Sequence, residues 1–211
     1  MSAADLARQK LILAAIELFA EHGVDSVSLR TINRQAGQKN NSALHYHFGS
    51  KIGLIKAVDE FIQRHFDEIR EPDLADLEER ARGGGITLTE ALEVFVKPYV
   101  EIIEQYDWGY GAVRTLARME FDSEEEVVRL LSDSAGHSVK RFAKLKRPLL
   151  SDLPAREYKM RHNFLVNATI QGFADYRNLH LSYLGDLSPR SLQELGRFYV
   201  RVGESILRGT S

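Results

Sequence analysis

Apolar residues recur at spacings of three and four along almost the whole chain, and no stretch alternates apolar with polar residues under β-branched enrichment. That periodicity predicts an all-α fold. A first helix is expected from Ala4 to His22, with Leu11, Ala15 and Leu18 or Phe19 on one face and Gly23 as its stop. Ser28 is placed to cap a short helix of Leu29 to Ala36, which Gly37 ends, and an Asn-rich turn leads to another around Ser42 to His47. After Ser50, the positions Leu54, Val58, Phe61, Ile62, His65, Phe66 and Ile69 trace a long amphipathic helix whose pattern gives out at Arg70 to Pro72. Gly83, Gly84 and Gly85 break the chain. The capping-box pattern Thr87-x-x-Glu90 opens the next helix, with Leu88, Leu92, Phe95, Val96, Tyr99 and Ile103 on it and Pro98 inside it as an expected kink. A helix over Trp108 to Phe121 follows, then one capped by Ser123-x-x-Glu126 and reaching Arg147. Of the two closing helices, one starts near Pro154 and the other has Ser188 as cap and Pro189 in its first turn. Ala168, Gly172 and Gly203 are small enough for close helix approach.

Composition narrows the chemistry. The 211 residues, 44% hydrophobic and 27% charged, describe a globular chain able to bury a core, and the absence of cysteine excludes disulfides, thiolate nucleophiles and cysteine metal sites. The N-terminal stretch interleaves acidic and basic residues with its apolar ones, which fits neither a signal peptide nor a membrane span, so a cytoplasmic protein without membrane contact is expected. Residues 1–56 hold seven Lys and Arg against four Asp and Glu, whereas the remainder is net acidic. A basic N-terminal part is the sign expected of a surface that meets phosphates.

Catalysis is not expected. The segment Gly136-His137-Ser138-Val139-Lys140 lacks the second glycine of a nucleophile elbow, and Gly109-Tyr110-Gly111 lacks both the third glycine of a dinucleotide loop and a preceding strand. His45 and His47, two apart on a helix, point in different directions with no neighbouring carboxylate, so neither a metal nor another cofactor is expected.

The informative stretch is Ser28 to Lys51, SLRTINRQAGQKNNSALHYHFGSK. It reads as two short helices joined by a turn, the second basic, amide-rich and aromatic, with too few apolar residues for burial on all sides. Such a helix fits the DNA major groove, where Asn and Gln bond adenine, Lys bonds guanine, and hydroxyls and imidazoles reach phosphates or base edges. With LILAAIELFAEHG before it, VSLRTINRQAG within it and LHYHFGSK at its end, the chain over residues 8–67 resembles the DNA-binding region of TetR-family regulators. It departs from the family's usual spacing by one residue, having eight, Gln38 to His45, between Ala36-Gly37 and Tyr46-His47-Phe48. The extra residue is placed in the Lys39, Asn40, Asn41 turn, which leaves Leu44 in its buried anchoring position. The resemblance implies that Ser28, Arg30 and Lys51 approach the phosphate backbone. It places Asn41, Ser42, Ala43, His45, Tyr46 and His47 on or beside the groove-facing surface, next to Lys39 and Asn40. Leu29, Ile32, Ala36, Leu44 and Phe48 would hold the motif together.

The same resemblance implies a second domain, residues 68–211, in which a helical bundle pairs two subunits and encloses a small-molecule pocket. One recognition helix covers few base pairs, so two are needed, about 34 to 36 Å apart. The final two helices are the candidate dimer interface. Phe95, Tyr99, Trp108, Tyr110, Arg114, Met119, Phe142, Phe164, Asn167, Gln171 and Phe173 are the candidate pocket residues, a set suited to a largely apolar ligand with a few polar groups. The expected function is a homodimeric repressor that leaves its double-stranded operator when an effector binds. The alternative is a helical ligand-binding or interaction protein whose DNA-binding head is non-functional.

Overall fold

Capping and burial account for the helix boundaries. The computed structural model describes residues 2–38, 42–121, 123–134 and 137–209, and the described residues form ten α-helices and two 3-10 turns, with no strand among them. Helix α1 (Ala3–His22) opens on a reciprocal box: the Asp5 N–H donates to Ser2 Oγ at 3.1 Å and the Ser2 N–H to the Asp5 carboxylate at 2.9 Å. It ends where Gly23 takes φ +80°, and Leu11, Ala15, Leu18 and Phe19 are buried as expected. Ser28 Oγ accepts the Thr31 N–H at 3.2 Å and starts α2 (Leu29–Gln35), which α3 (Ser42–Phe48) follows.

Helix α4 (Lys51–Arg82) departs from expectation by continuing through Pro72 instead of ending at Arg70 to Pro72. A proline inside a helix deletes one backbone hydrogen bond. Here the turns beyond it are held by tertiary contacts: Leu74 and Leu77 are buried with Val94, and Ile86 and Leu145 pack against them. Arg141 also bridges Glu71 at 2.5 Å and Glu78 at 2.6 Å, residues on either side of the proline. The summed packing outweighs one missing bond.

Chain order continues with α5 (Leu88–Gln105), α6 (Gly109–Phe121), α7 (Glu125–Ser134), α8 (His137–Lys146), α9 (Ala155–Asp175) and α10 (Leu192–Arg208). The Thr87 box is formed, with the Glu90 N–H on Thr87 Oγ1 at 3.2 Å and the Thr87 N–H on Glu90 Oε2 at 2.7 Å. The single helix expected from Ser123 to Arg147 is two, α7 and α8. Ser123 caps neither, because its hydroxyl donates back to the Arg118 carbonyl at 3.3 Å. The cap of α10 is Ser191, which accepts the Glu194 N–H at 3.1 Å; Ser188 is held outside the helix by the Asp186 carboxylate, which accepts its N–H at 2.8 Å. An Asx turn therefore competes for the first serine and leaves the cap to the second. No helix among the described residues is long and apolar enough to cross a membrane.

The chain forms two compact units, Met1–Arg64 with Tyr106–Ala135 and His65–Gln105 with Gly136–Ser211. This division differs from a single boundary between residues 67 and 68, because α6 and α7 fall with the N-terminal helices. In the first unit Thr115 Oγ1 donates to the Ile16 carbonyl at 2.9 Å, and a Cβ on Gly111 would stand 3.4 Å from Ile16. Gly111 of α6 thus lies against α1 with room for ordinary contact. In the second unit α10 meets α5 and α9 through glycines: a Cβ on Gly172 would fall 1.5 Å from the Tyr199 hydroxyl, and one on Gly203 2.8 Å from Leu165. The close approach expected of Gly172 and Gly203 is thus observed.

Candidate nucleic-acid interface

A seven-residue helix cannot persist on its own propensity, so α3 depends on what anchors it. Its buried anchor is Leu44, 1% exposed, and Ile32 of α2 is likewise buried. The rest of α3 turns outward: His45 and Tyr46 are exposed, Tyr46 by 82%, and His47 and Phe48 are half-buried. Phe48 is covered by the Arg8 guanidinium of α1, 5.4 Å from its ring centroid, and the Tyr46 ring stands edge-on to His47 at 5.1 Å. Lys39, Asn40 and Asn41 lie outside the described residues, as do the side chains of Ser42 and Ala43.

Several of the remaining DNA-facing candidates carry structural bonds as well. Ser28 Oγ caps α2 and also hydrogen-bonds Thr31 Oγ1 at 2.9 Å. Lys51 donates to the Asp25 carbonyl at 3.1 Å, tying the start of α4 to the turn after α1. His45 closes the end of α3: the Gly49 N–H donates to the His45 carbonyl at 3.0 Å, and His45 Nδ1 lies 2.9 Å from the Gly49 carbonyl. A carbonyl can only accept, so Nδ1 carries a proton, and in the neutral ring Nε2 is an acceptor. An acceptor on this surface suits the exocyclic amino group of adenine or cytosine. Gly49 takes φ +71°, the left-handed conformation that ends a helix. Arg30 is exposed on the first turn of α2, and no ion pair or hydrogen bond holds it among the described residues. It is a cation available to a phosphate.

The candidate pocket residues divide between the two units. Trp108, Tyr110, Arg114 and Met119 belong to the first unit, where Trp108 packs on Phe61 and Tyr106 at centroid distances of 5.1 and 4.7 Å and Arg114 lies 5.8 Å from the Tyr110 ring. Phe95, Tyr99, Phe142 and Phe173 are buried together in the second unit: Phe95 stacks on Phe142 at 4.7 Å and Tyr99 on Phe173 at 5.4 Å. Asn167 is half-buried, whereas Gln171 and Phe164 are exposed. A cleft of about 490 Å³ opens between α5 and α10, floored by Val96, Val100, Gly196 and Val200, and none of the eleven candidates lines it. Sequence reasoning passed over two buried cations of the second unit, Arg70 and Lys146. Their signal was present: Arg70 stands four residues after Phe66 and Lys146 four after Phe142, both on otherwise apolar helix faces.

Comparison with known proteins agrees with this architecture. Residues 11–58 match the family of bacterial regulatory proteins of the tetR family, and residues 93–202 match the tetracyclin repressor-like C-terminal domain. The chain is 29% identical over 181 residues to the HTH-type transcriptional regulatory protein RaaS of Mycobacterium tuberculosis (strain ATCC 25618 / H37Rv), covering 85% of this chain and 76% of that protein. Its fold is similar to that of NalD, the secondary repressor of the MexAB-OprM multidrug efflux pump in Pseudomonas aeruginosa, with a TM-score of 0.60, 22% identity and 96% of each chain covered. A bacterial regulatory protein of the tetR family from Rhodococcus RHA1 superposes with a TM-score of 0.59 at 15% identity over 100% of both chains. The matched segments carry both the reading head and the C-terminal helices described above, and the chain belongs to the TetR family of bacterial transcriptional regulators.

Proposed function

We propose that the chain is a repressor that grips operator DNA as a homodimer and is released by a small, largely apolar molecule. The DNA-reading part is residues 8–67, and pairing and effector binding belong to residues 68–211. The observation that carries the reading is α3, whose one deeply buried side chain, Leu44, leaves Tyr46 and His45 outward, with Arg30 exposed on α2. Pairing through α9 and α10 is supported by large apolar side chains that these helices leave in solvent, Met160, Phe164 at 62% exposure and Phe198. Exposed apolar patches of this kind mark association surfaces. Phe164 is better placed there than in a pocket. The aromatic core around Phe95, Tyr99, Phe142 and Phe173 supports an apolar effector. A repressor of an efflux pump, as NalD is described, would be a relative in role as well as in fold.

The decisive test is a titration of purified protein on the promoter region beside its own gene at several salt concentrations. A saturable complex of two subunits per site is expected, with affinity falling steeply as salt rises. Arg30→Ala should weaken binding to all sequences and lower the salt slope by about one, and Tyr46→Ala should weaken the operator complex. Weak binding that is equal on every genomic fragment and indifferent to both substitutions would favour a helical ligand-binding protein with a non-functional head. For the dimer, Phe164→Glu is expected to give a monomer in sedimentation and to lose operator affinity with it; a dimer that survives the substitution would move the interface elsewhere.

A further inference from the structure

The second unit buries two cations, and among the described residues neither has a carboxylate in direct contact. Arg70, 1% exposed, donates Nη1 to Ser138 Oγ at 2.5 Å and Nη2 to the Phe95 carbonyl at 3.4 Å, and its Nε has no partner. Asp67 reaches it only through the Ser138 hydroxyl, which donates to Asp67 Oδ1. Lys146 is fully buried and donates to the Tyr158 hydroxyl at 2.8 Å and to His162 Nδ1 at 2.6 Å. The Tyr158 hydroxyl gives its own proton to the Ala143 carbonyl, so it accepts from the lysine. A third N–H of the ammonium has no acceptor among the described residues.

Each cation lies against one ring of a stacked pair. Arg70 lies 5.7 Å from the Phe95 ring and Lys146 4.7 Å from the Phe142 ring, and those rings are stacked, 4.7 Å apart at 11°. Burial holds the Lys146 ammonium down to about 7 and, with Lys146 beside it, the His162 imidazole down to about 4, whereas Arg70 also feels the charge of Asp67. Desolvated cations with unused donors are costly unless an anion completes them. The free Nε of Arg70 belongs to a planar fork that matches the two oxygens of a carboxylate.

We propose that Arg70 and Lys146, on the stacked Phe95 and Phe142 rings, form the anion-recognition subsite of the effector site, and that the effector is an organic carboxylate with an apolar body. The proposal rests on the ligand-responsive reading above and adds a charge to its apolar effector. It also says how occupancy is felt: Lys146 and Phe142 stand on α8, and α8 is tied to α4 by Ser138 on Asp67 and Arg70 and by Arg141 on Glu71 and Glu78. A ligand that shifts α8 acts on the helix that continues into the first unit.

The test uses the full chain and two shape-matched pairs, decanoate against decanamide and 2-naphthoate against 2-naphthamide, measured by calorimetry and thermal shift. At least one carboxylate is expected to bind about tenfold or more tightly than its amide, since the amide keeps the shape and loses the charge. Lys146→Met and Arg70→Met should each remove that preference, while Lys159→Met, at an exposed site on α9, should keep it. Equal binding of acid and amide, a preference that survives both substitutions, or no binding of either acid at millimolar concentration would overturn the proposal. Operator binding measured in parallel separates the two readings. A protein that grips its operator and ignores carboxylates loses the anion subsite alone, and one that binds carboxylates but no operator loses the repressor reading alone.

Discussion

Leu44→Ala is expected to lower operator affinity by about a hundredfold or more, although the side chain faces the core and not the DNA. Helix α3 has seven residues, and Leu44 is the one of its described side chains that is fully packed. Truncating a buried leucine costs about 2 to 5 kcal/mol, and a helix this short has no reserve of its own to absorb the loss. The cost therefore falls on the docking of α3, and with it on the placement of Tyr46, His45 and His47. Far-UV circular dichroism should change little, because few residues are at stake, while fluorescence anisotropy on labelled operator should show the loss. Leu44→Met, which conserves volume, should restore most of the affinity. Native affinity in Leu44→Ala would mean that Phe48 under Arg8, or the cap at Gly49, holds the helix without it.

Lys146→Met is expected to stabilise the protein near neutral pH, by an amount that shrinks as pH rises. Burial lowers the folded-state value of this lysine from its ordinary 10.5 to about 7. Between those limits the unfolded chain binds more protons than the folded one, so the stability of the unsubstituted protein should rise with pH from about 7 to about 10.5. Below about 7 the lysine is charged in both states and the full desolvation cost, a few kcal/mol by the size of the shift, is present. Methionine removes that cost. It also removes the donor to Tyr158 and His162, which is worth about 1 kcal/mol or more, so the sign should reverse at the alkaline end of the window. Urea midpoints of the two proteins from pH 7 to 10.5 would show converging and then crossing curves. The groups around the amine are Tyr158, pushed up to about 12 by burial, His162, held down to about 4, and Arg147, which lies 5.0 Å from the Tyr158 ring. His162 adds its own dependence below pH 6.5, which is why the comparison starts at 7. Parallel curves would show that Lys146 keeps an ordinary proton affinity.

The helical class, the caps at Ser28 and Thr87, the glycine break at 83–85 and the head motif were legible in the sequence because each rests on neighbours a few residues apart. Capping bonds and the period of an apolar face are local, and a motif such as Tyr46-His47-Phe48 with Ser50-Lys51 is a string before it is a shape. Failures came where a distant partner overruled a local cue. Pro72 reads as a stop, yet Leu74, Leu77 and the Arg141 bridges carry α4 past it. Ser188 reads as the cap of the last helix, yet Asp186 holds it outside and Ser191 takes the cap. The membership of α6 in the first unit turns on Gly111 and Thr115 meeting Ile16 across about a hundred residues of chain. The family resemblance made Lys51 and His45 DNA contacts, and folding added bonds to the Asp25 and Gly49 carbonyls. Arg70 and Lys146 stood in plain view on apolar stripes, but periodicity cannot say whether a cation there reaches solvent or is enclosed. Pattern and type are properties of the string; burial, and the proton affinity that follows from it, belong to the packed chain alone, because they depend on which helices close over a side chain.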